Sequence, residues 1–168
     1  MYKANDYLVY KKDVCKVREV RKNKMNGKDY YILIPINDES LIIEAPTDNR
    51  MGFIRDVISK EDAEKLIKKI PKIETLENID DKYIEKTYKE LLYNGDIEDL
   101  IKIIKTTYIR NDNRIKSNKK ISDKDKTYFE KAEEYLYNEL SISLGMSYDE
   151  TKSYIIDKVN ELIKCSED

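Results

Sequence analysis

The sequence predicts an α+β protein, in which a small antiparallel β domain is followed by a compact bundle of about five helices. Residues 1–58 contain short β-prone runs separated by turn residues. Residues 59–168 instead carry apolar side chains at helical spacing behind capping residues. The length of 168 residues is sufficient for two small domains.

The first half shows the period of a sheet. Residues 7–10 form a short β-prone run. Over 14–20, apolar and charged side chains occur on both parities, so this strand is expected to be half-buried at best. Asn26-Gly27 predicts a hairpin, because both central residues of a type I′ turn need positive φ. Two further strands are expected at 30–36 and 40–44. A sheet of four or five such strands closes into an SH3-like or Tudor-like small antiparallel β-barrel, which removes exposed edges.

Capping residues divide the second half into five helices joined by short links, the pattern of a compact bundle. A serine followed three residues later by an acidic residue marks a helix start, and glycine or proline marks an end. The polar stretch 111–118 predicts a loop before the fourth helix. The predicted helices begin at or just after Ser59, Asp80, Asp96, Ser122 and Ser147, and Gly145 ends the fourth.

The composition argues against several classes of function. No histidine is present, which removes the commonest general base and the commonest zinc ligand. Cys15 and Cys165 lie near opposite ends, so neither a disulfide framework nor a metal cluster is indicated. No apolar stretch follows residues 1–6, so we expect no signal peptide, and no apolar run approaches the ~20 residues of a membrane helix. We therefore expect a cytoplasmic protein with no metal, no cofactor and no small-molecule substrate.

Positive charge is concentrated in one stretch of a protein whose formal charge is −2. Residues 101–131 hold ten basic and four acidic side chains, a net charge of +6. Such cations bind DNA phosphates by releasing counterions, and no base-reading motif accompanies them. The alternative is a lysine-rich face that is merely solvated. The candidates for phosphate contact here are Arg114, Lys119, Lys120, Lys124 and Lys126.

Tyr83 is a candidate for contact with a base. It lies at the start of the predicted second helix, beside Lys82 and close to Lys86 and Lys89. An exposed aromatic ring flanked by lysines is able to stack on a base or wedge against it, while the lysines contact the backbone. The alternative is that Tyr83 packs against the surface between the two domains.

Several short motifs occur in order along nearly the whole chain. In the first half they are NDYLVY at 5–10, GKDYYIL at 27–33, APTDN at 45–49 and GFIRDVIS at 52–59. In the second half they are LLYNGD at 91–96, IIKTTY at 103–108, IS at 121–122, KA at 131–132 and NELSISLG at 138–145. Together they resemble the CarD/CdnL family of bacterial transcription regulators, which bind RNA polymerase.

This resemblance implies a division of labour between residues 1–58 and residues 59–168. The first domain would be Tudor-like, similar to the polymerase-interacting domain of transcription-repair coupling factors. It would bind the lobe of the polymerase β subunit, partly by strand-to-strand pairing. The helical domain would contact promoter DNA at the upstream edge of the transcription bubble, where a family tryptophan wedges into the minor groove. The expected effect is a change in the stability of the open promoter complex, without enzymatic activity.

The sequence departs from the family at positions that bear on both contacts. The family tryptophan aligns near Asp81, and Tyr83 is its candidate substitute, whereas Lys126 keeps the place of a family lysine. Two family arginines align with Glu44 and near Asn23, so polymerase binding is expected to depend on backbone pairing. The candidate polymerase-binding residues are Asn23, Leu41, Ile42, Ile43 and Glu44.

Two other functions remain open on the sequence alone. The acidic total and the missing tryptophan favour a polymerase-binding adaptor that makes no DNA contact. A carboxylate-dependent nuclease is disfavoured by the absence of histidine and of any clustered acidic motif. Salt-dependent DNA binding would distinguish a DNA-binding regulator from the adaptor. Incubation with DNA and magnesium would detect nuclease activity.

Overall fold

The computed structural model describes residues 1–167 and forms two compact units, Met1–Ser59 and a second unit that begins at Lys60. The predicted fold class is confirmed, because a five-stranded antiparallel sheet is followed by five α-helices. The strands are β1 (Tyr7–Tyr10), β2 (Asp13–Lys22), β3 (Asp29–Pro35), β4 (Ile43–Pro46) and β5 (Ile54–Arg55). The helices are α1 (Lys60–Lys69), α2 (Asp81–Asn94), α3 (Ile97–Lys116), α4 (Asp123–Leu144) and α5 (Tyr148–Glu167), with a 3₁₀ turn over Ile70–Lys72.

The sheet is curled around a small apolar core. Its strand order is β4-β3-β2-β1-β5, so β4 and β5 lie at opposite edges. Ala45 of β4 and Ile54 of β5 nevertheless pack into the same buried cluster. The Asn49 side chain bonds both backbone groups of Ile54, accepting from its N–H at 2.9 Å and donating to its carbonyl at 2.8 Å. This amide therefore holds the β4–β5 loop against the end of the sheet.

The hairpin between β2 and β3 is present, but its turn differs from the predicted one. The Asn23 N–H donates to the Lys28 carbonyl and the Gly27 N–H donates to the Asn23 carbonyl, both at 3.0 Å. Gly27 is the one residue of this loop with positive φ, at 68°. The turn is therefore longer than the two-residue type I′ turn, which needs two such residues.

Local capping sets most of the helix ends as predicted. Asp96 begins α3 with a capping box to Asp99, and Ser122 begins α4 by accepting from the Asp125 N–H. Ser147 and Glu150 cap α5 reciprocally, at 3.1 Å in both directions. These side chains satisfy N–H groups that have no partner within the helix.

The predicted loop over 111–118 is wrong for most of its length. Helix α3 continues to Lys116, and only a short link over 117–122 separates it from α4. Asn113 and Lys116 are exposed, whereas Asn111, Asp112 and Arg114 are only partly so. Polarity here therefore marks the outer end of a helix and not a loop. Asn118, with φ of 57°, ends the helix as the Lys119 N–H donates to the Arg114 carbonyl at 2.8 Å.

The two cysteines differ in environment, which predicts different reactivity. Cys15 is fully buried in the sheet core, whereas Cys165 is exposed on α5. Burial, together with the charge of Asp13, raises the pKa of the Cys15 thiol to about 12. Because the thiolate is the reactive form, iodoacetamide at pH 8 should label Cys165 and leave Cys15 unmodified. Mass spectrometry of the native and the urea-unfolded protein checks this, and native labelling of Cys15 would contradict the buried position.

Candidate functional site

Strand β4 is an edge strand whose outer side is open to another strand. It pairs with β3 in the register Leu33↔Ile43, Ile32↔Glu44 and Tyr31↔Ala45. The Thr47 N–H donates to the Asp29 carbonyl at 3.0 Å, so these two residues form a hydrogen-bonded pair of the ladder. Bonded and non-bonded pairs alternate along an antiparallel ladder, which makes Ile32↔Glu44 a non-bonded pair. Alternation then turns the N–H and C=O of Glu44 away from β3. An incoming strand would therefore bond to both backbone groups of this one residue.

The side chain of Glu44 lies on the exposed face of the sheet, among other charged groups. Arg21 Nη1 lies 3.3 Å from a Glu44 carboxylate oxygen, and Arg21 Nη2 lies 2.7 Å from Glu19. All three side chains are about half exposed, so these ion pairs contribute little to stability. Arg21 is thus available to a partner's acidic group, and Glu44 and Glu19 to a basic one.

The other polymerase-binding candidates are placed less favourably. Leu41 and Ile42 precede β4 instead of belonging to it, because the Leu41 N–H closes a turn on the Asp38 carbonyl at 3.2 Å. Both side chains are about half exposed, at 46% and 52%. Asn23 lies in the β2–β3 loop. It is four residues beyond Glu19, which is level with Glu44 because both pair with Ile32 of β3. Asn23 is therefore roughly 13 Å from the level of Glu44 along the strand direction. The structure therefore brings Ile43 and Glu44 together on β4 and leaves Asn23 at the far end of the hairpin.

Four DNA-contact candidates lie along α2. Asp80 caps the helix by accepting from the Lys82 N–H, while Ile84, Tyr88 and Leu92 form its buried face. Tyr83 is 55% exposed, and the Lys82 ammonium lies 4.8 Å from the centre of its ring. The remaining two candidates, Lys86 and Lys89, are also exposed. The first turns of α2 thus present an aromatic ring and cations to solvent.

The link between α3 and α4 is pinned by side chains of α3. Arg114 Nε donates to the Lys120 carbonyl at 2.7 Å, and Asn111 accepts from the Ser122 N–H at 2.8 Å. Lys119 and Lys120 are exposed on this link. Arg114 therefore serves a structural purpose in addition to carrying charge.

A buried ionic network joins α2, α3 and α4, and the sequence analysis missed it. Asp125 is 0% exposed and accepts from the Tyr88 hydroxyl at 2.9 Å and from Arg110 Nε at 3.1 Å. Arg110 also donates to Asp81 at the start of α2. The capping pattern of Ser122 indicates where Asp125 lies along α4, but its burial depends on helices that are distant in sequence.

The network brings some of the predicted cations to the start of α2. The Arg110 hydrogen bond and its charge, followed by the charges of Lys124 and Arg114, lower the pKa of Asp81. Lys124 also lies 3.9 Å from Glu85 of α2. Arg110 and Lys124 therefore contact the first turns of α2, and the charge of Arg114 also acts on Asp81.

Lys126 does not belong to this group of cations. It lies roughly 200° around the helix from Lys124, because successive residues turn by about 100°. It lines a groove of about 300 Å³ with Tyr108, Ile115 and Phe129, and pairs with Glu130 at 3.9 Å. The candidate cations are thus divided between two sides of α4.

Within residues 1–167, no three Cys, Asp or Glu side chains converge in a way that would hold a metal ion. None of the helices in the same range has the length and apolar character to cross a membrane.

A model of the family described as CarD, C-terminal domain, matches residues 58–156, more than half of the chain. The matched segment begins just before α1, ends within α5 and contains all nine candidate DNA-contact residues. A comparison with curated proteins finds no match.

Proposed function

This chain belongs to the CarD family, and from that premise we propose that it is a transcription regulator that binds RNA polymerase and promoter DNA together. The family consists of non-enzymatic transcription factors that interact with the polymerase. In this proposal, residues 1–58 bind the lobe of the β subunit, and residues 59–168 bind DNA at the upstream edge of the bubble. The complex would act in the cytoplasm and change the stability of the open promoter.

The observation that carries the DNA half of the proposal is the family match over the helical unit. The geometry supports it, because the Lys82 ammonium lies 4.8 Å from the exposed Tyr83 ring and Lys86 follows one helical turn later. Arg110 and Lys124 contact Asp81 and Glu85 on another side of the same turns. Cations around a ring suit a duplex that is opening, since phosphates bind the cations and an unstacked base meets the ring. Contacts of this kind are expected to be largely independent of sequence.

The open side of β4 supports the polymerase half. Glu44 offers both backbone groups to an incoming strand, which is the arrangement used in β-strand addition. Ile43 lies beside it in the strand, and the exposed Leu41 and Ile42 precede it, so apolar side chains of a partner have a surface to cover. Asn23 contributes only if the partner also reaches the hairpin loop.

Salt dependence of DNA binding tests the proposal. The full-length chain should bind a labelled forked promoter fragment, with log affinity falling against log salt at a slope of about −3 if some three phosphates are neutralised. Affinity then falls roughly 60-fold between 50 and 200 mM salt. Fluorescence anisotropy measures this, and Lys164→Gln on α5 is a control that removes one charge away from α2. Binding with no slope, or no binding, would contradict DNA contact.

A polymerase-binding adaptor is the second candidate function. It is favoured by the net charge of −2 and by the absence of tryptophan. The adaptor would bind polymerase with equal affinity whether or not a promoter is present, whereas the regulator should bind the open complex more tightly. Incubation of the chain with DNA and magnesium, in which we expect no cleavage, tests the absence of nuclease activity.

A further inference from the structure

Asp125 lies where a carboxylate is costly unless it is fully partnered. Its side chain is 0% exposed, although it occupies the first turn of α4 between the exposed Lys124 and Lys126. A buried ionised group requires an opposite charge and hydrogen bonds. Arg110 supplies the charge at 3.1 Å and the Tyr88 hydroxyl supplies a second bond at 2.9 Å.

Arg110 connects this buried carboxylate to the surface. Its side chain is 32% exposed, with Nε directed at Asp125 and Nη2 bonded to the exposed Asp81. Asp81 is the first residue of α2, immediately before Lys82 and Tyr83. The guanidinium is planar, so these two bonds fix the start of α2 relative to α3 and α4.

We propose that Arg110 is a positioning residue: held by Asp125, it fixes the start of α2, and with it Tyr83 and Lys82, relative to the cations of α3 and α4 that would bind the same DNA. This role rests on the proposed function. Eight of the nine DNA-contact candidates lie on segments that adjoin the network. These segments are α2, the end of α3 with the link that follows it, and the start of α4, which carries Lys124. Arg110 acts through these residues and need not touch DNA.

Lysine cannot replace arginine in this role. A lysine keeps the positive charge, but its donors all lie on one ammonium nitrogen. It therefore cannot bond Asp125 and Asp81 in the planar fork geometry of a guanidinium. Arg110→Lys therefore separates orientation from charge, because net charge is unchanged while the bridge from Asp125 to Asp81 is lost.

The experiment compares wild type, Arg110→Lys and Lys164→Gln in binding to forked promoter DNA over a range of salt. We expect Arg110→Lys to bind about tenfold more weakly and with a shallower salt slope, since residues of one network are coupled. Lys164→Gln, although it removes a charge, should bind as wild type does. A purely structural role would shift the unfolding midpoint but leave the slope unchanged where the protein is folded.

Amide hydrogen exchange gives the second readout. In Arg110→Lys, the amides of the first turns of α2 should exchange faster, while those of α5 keep wild-type protection. Wild-type affinity and slope in Arg110→Lys would overturn the proposal, as would unchanged exchange in α2. If wild type itself does not bind the DNA, the proposed function fails, and α2 exchange still decides whether Arg110 orders the helix.

A third variant tests whether weaker DNA binding arises from unfolding instead of from the lost Arg110 bridge. Tyr88→Phe, Arg110→Met and Asp125→Leu together replace the buried polar groups by apolar ones and leave the net charge unchanged. Such replacements are often neutral or stabilising, whereas removing one partner is not. We expect this protein to remain folded by circular dichroism and to bind DNA about as weakly as Arg110→Lys, and wild-type affinity would overturn the positioning role.

Discussion

Replacing Glu44 with proline should weaken the capture of RNA polymerase by a folded protein at least about tenfold. The Glu44 N–H is directed away from β3, so proline removes only the outward donor. Pro46 already occupies the same orientation two residues later, which indicates that the edge tolerates the ring. A carbonyl of the incoming strand would then lack its donor, and the lost hydrogen bond costs ~1–2 kcal/mol. The proline ring also obstructs the approach of that strand. Together these effects should weaken binding by at least about tenfold.

Pull-down of purified polymerase by the tagged full-length chain measures this effect. Glu44→Ala is the matched control, because it removes the same carboxylate but retains the N–H. A proline or a charge at Ile42 or Ile43 is also expected to prevent association, but Ile43 bonds to β3, so proline there would disturb the sheet itself. Normal capture by a folded Glu44→Pro protein would show that β4 does not pair with the polymerase.

Replacing Tyr83 with alanine should shorten the lifetime of the open promoter complex and leave polymerase binding intact. The ring is 55% exposed at the start of α2, beside the Lys82 ammonium. Stacking of an aromatic side chain on a base is worth about 1–3 kcal/mol, so the lifetime should fall by roughly 5- to 150-fold. A stopped-flow promoter assay with a fluorescent base in the bubble measures the lifetime directly.

Tyr93→Ala is a control of the same chemical type. Tyr93 lies at the other end of α2, is 51% exposed and has the Lys131 ammonium 5.6 Å from its ring centre. The two variants therefore lose the same exposed ring beside a lysine, but at opposite ends of one helix. Equal lifetimes for wild type and Tyr83→Ala, or equal losses in the two variants, would remove Tyr83 from the mechanism.

The sequence predicted the features that depend on neighbouring residues. The caps formed by Asp96, Ser122 and Ser147, and the helix end at Gly145 with φ of 67°, involve bonds within a few positions along the chain. Such bonds leave a direct signature in the order of residues. The fold class was predictable for the same reason, since β-prone runs with turn residues dominate 1–58 and helical spacing dominates 59–168.

The features that the sequence did not predict depend on distant partners. A bulge between Val17 and Glu19 resets the alternation in β2, so that Cys15 and Val17, and then Val20, pack on the core. Because a bulge places two residues opposite one, the mixed parities over 14–20 do not reveal which side chains face the core. In the candidate site, charge density selected residues 101–131, but the burial of Asp125 arises only when α2 and α3 fold against α4.

The proline at the end of β4 also limits what the exposed margin can recruit. Pro46 has no N–H to offer, and Glu44 adds a charge to the same short segment. Natural sheets use brevity, charge and proline to avoid extending into fibrils. An edge on which one residue offers both its N–H and its C=O is long enough to pair with the strand of a specific partner. It is too short to template a stack of identical chains. Concentrated solutions of the protein should accordingly resist self-assembly while the strand stays open.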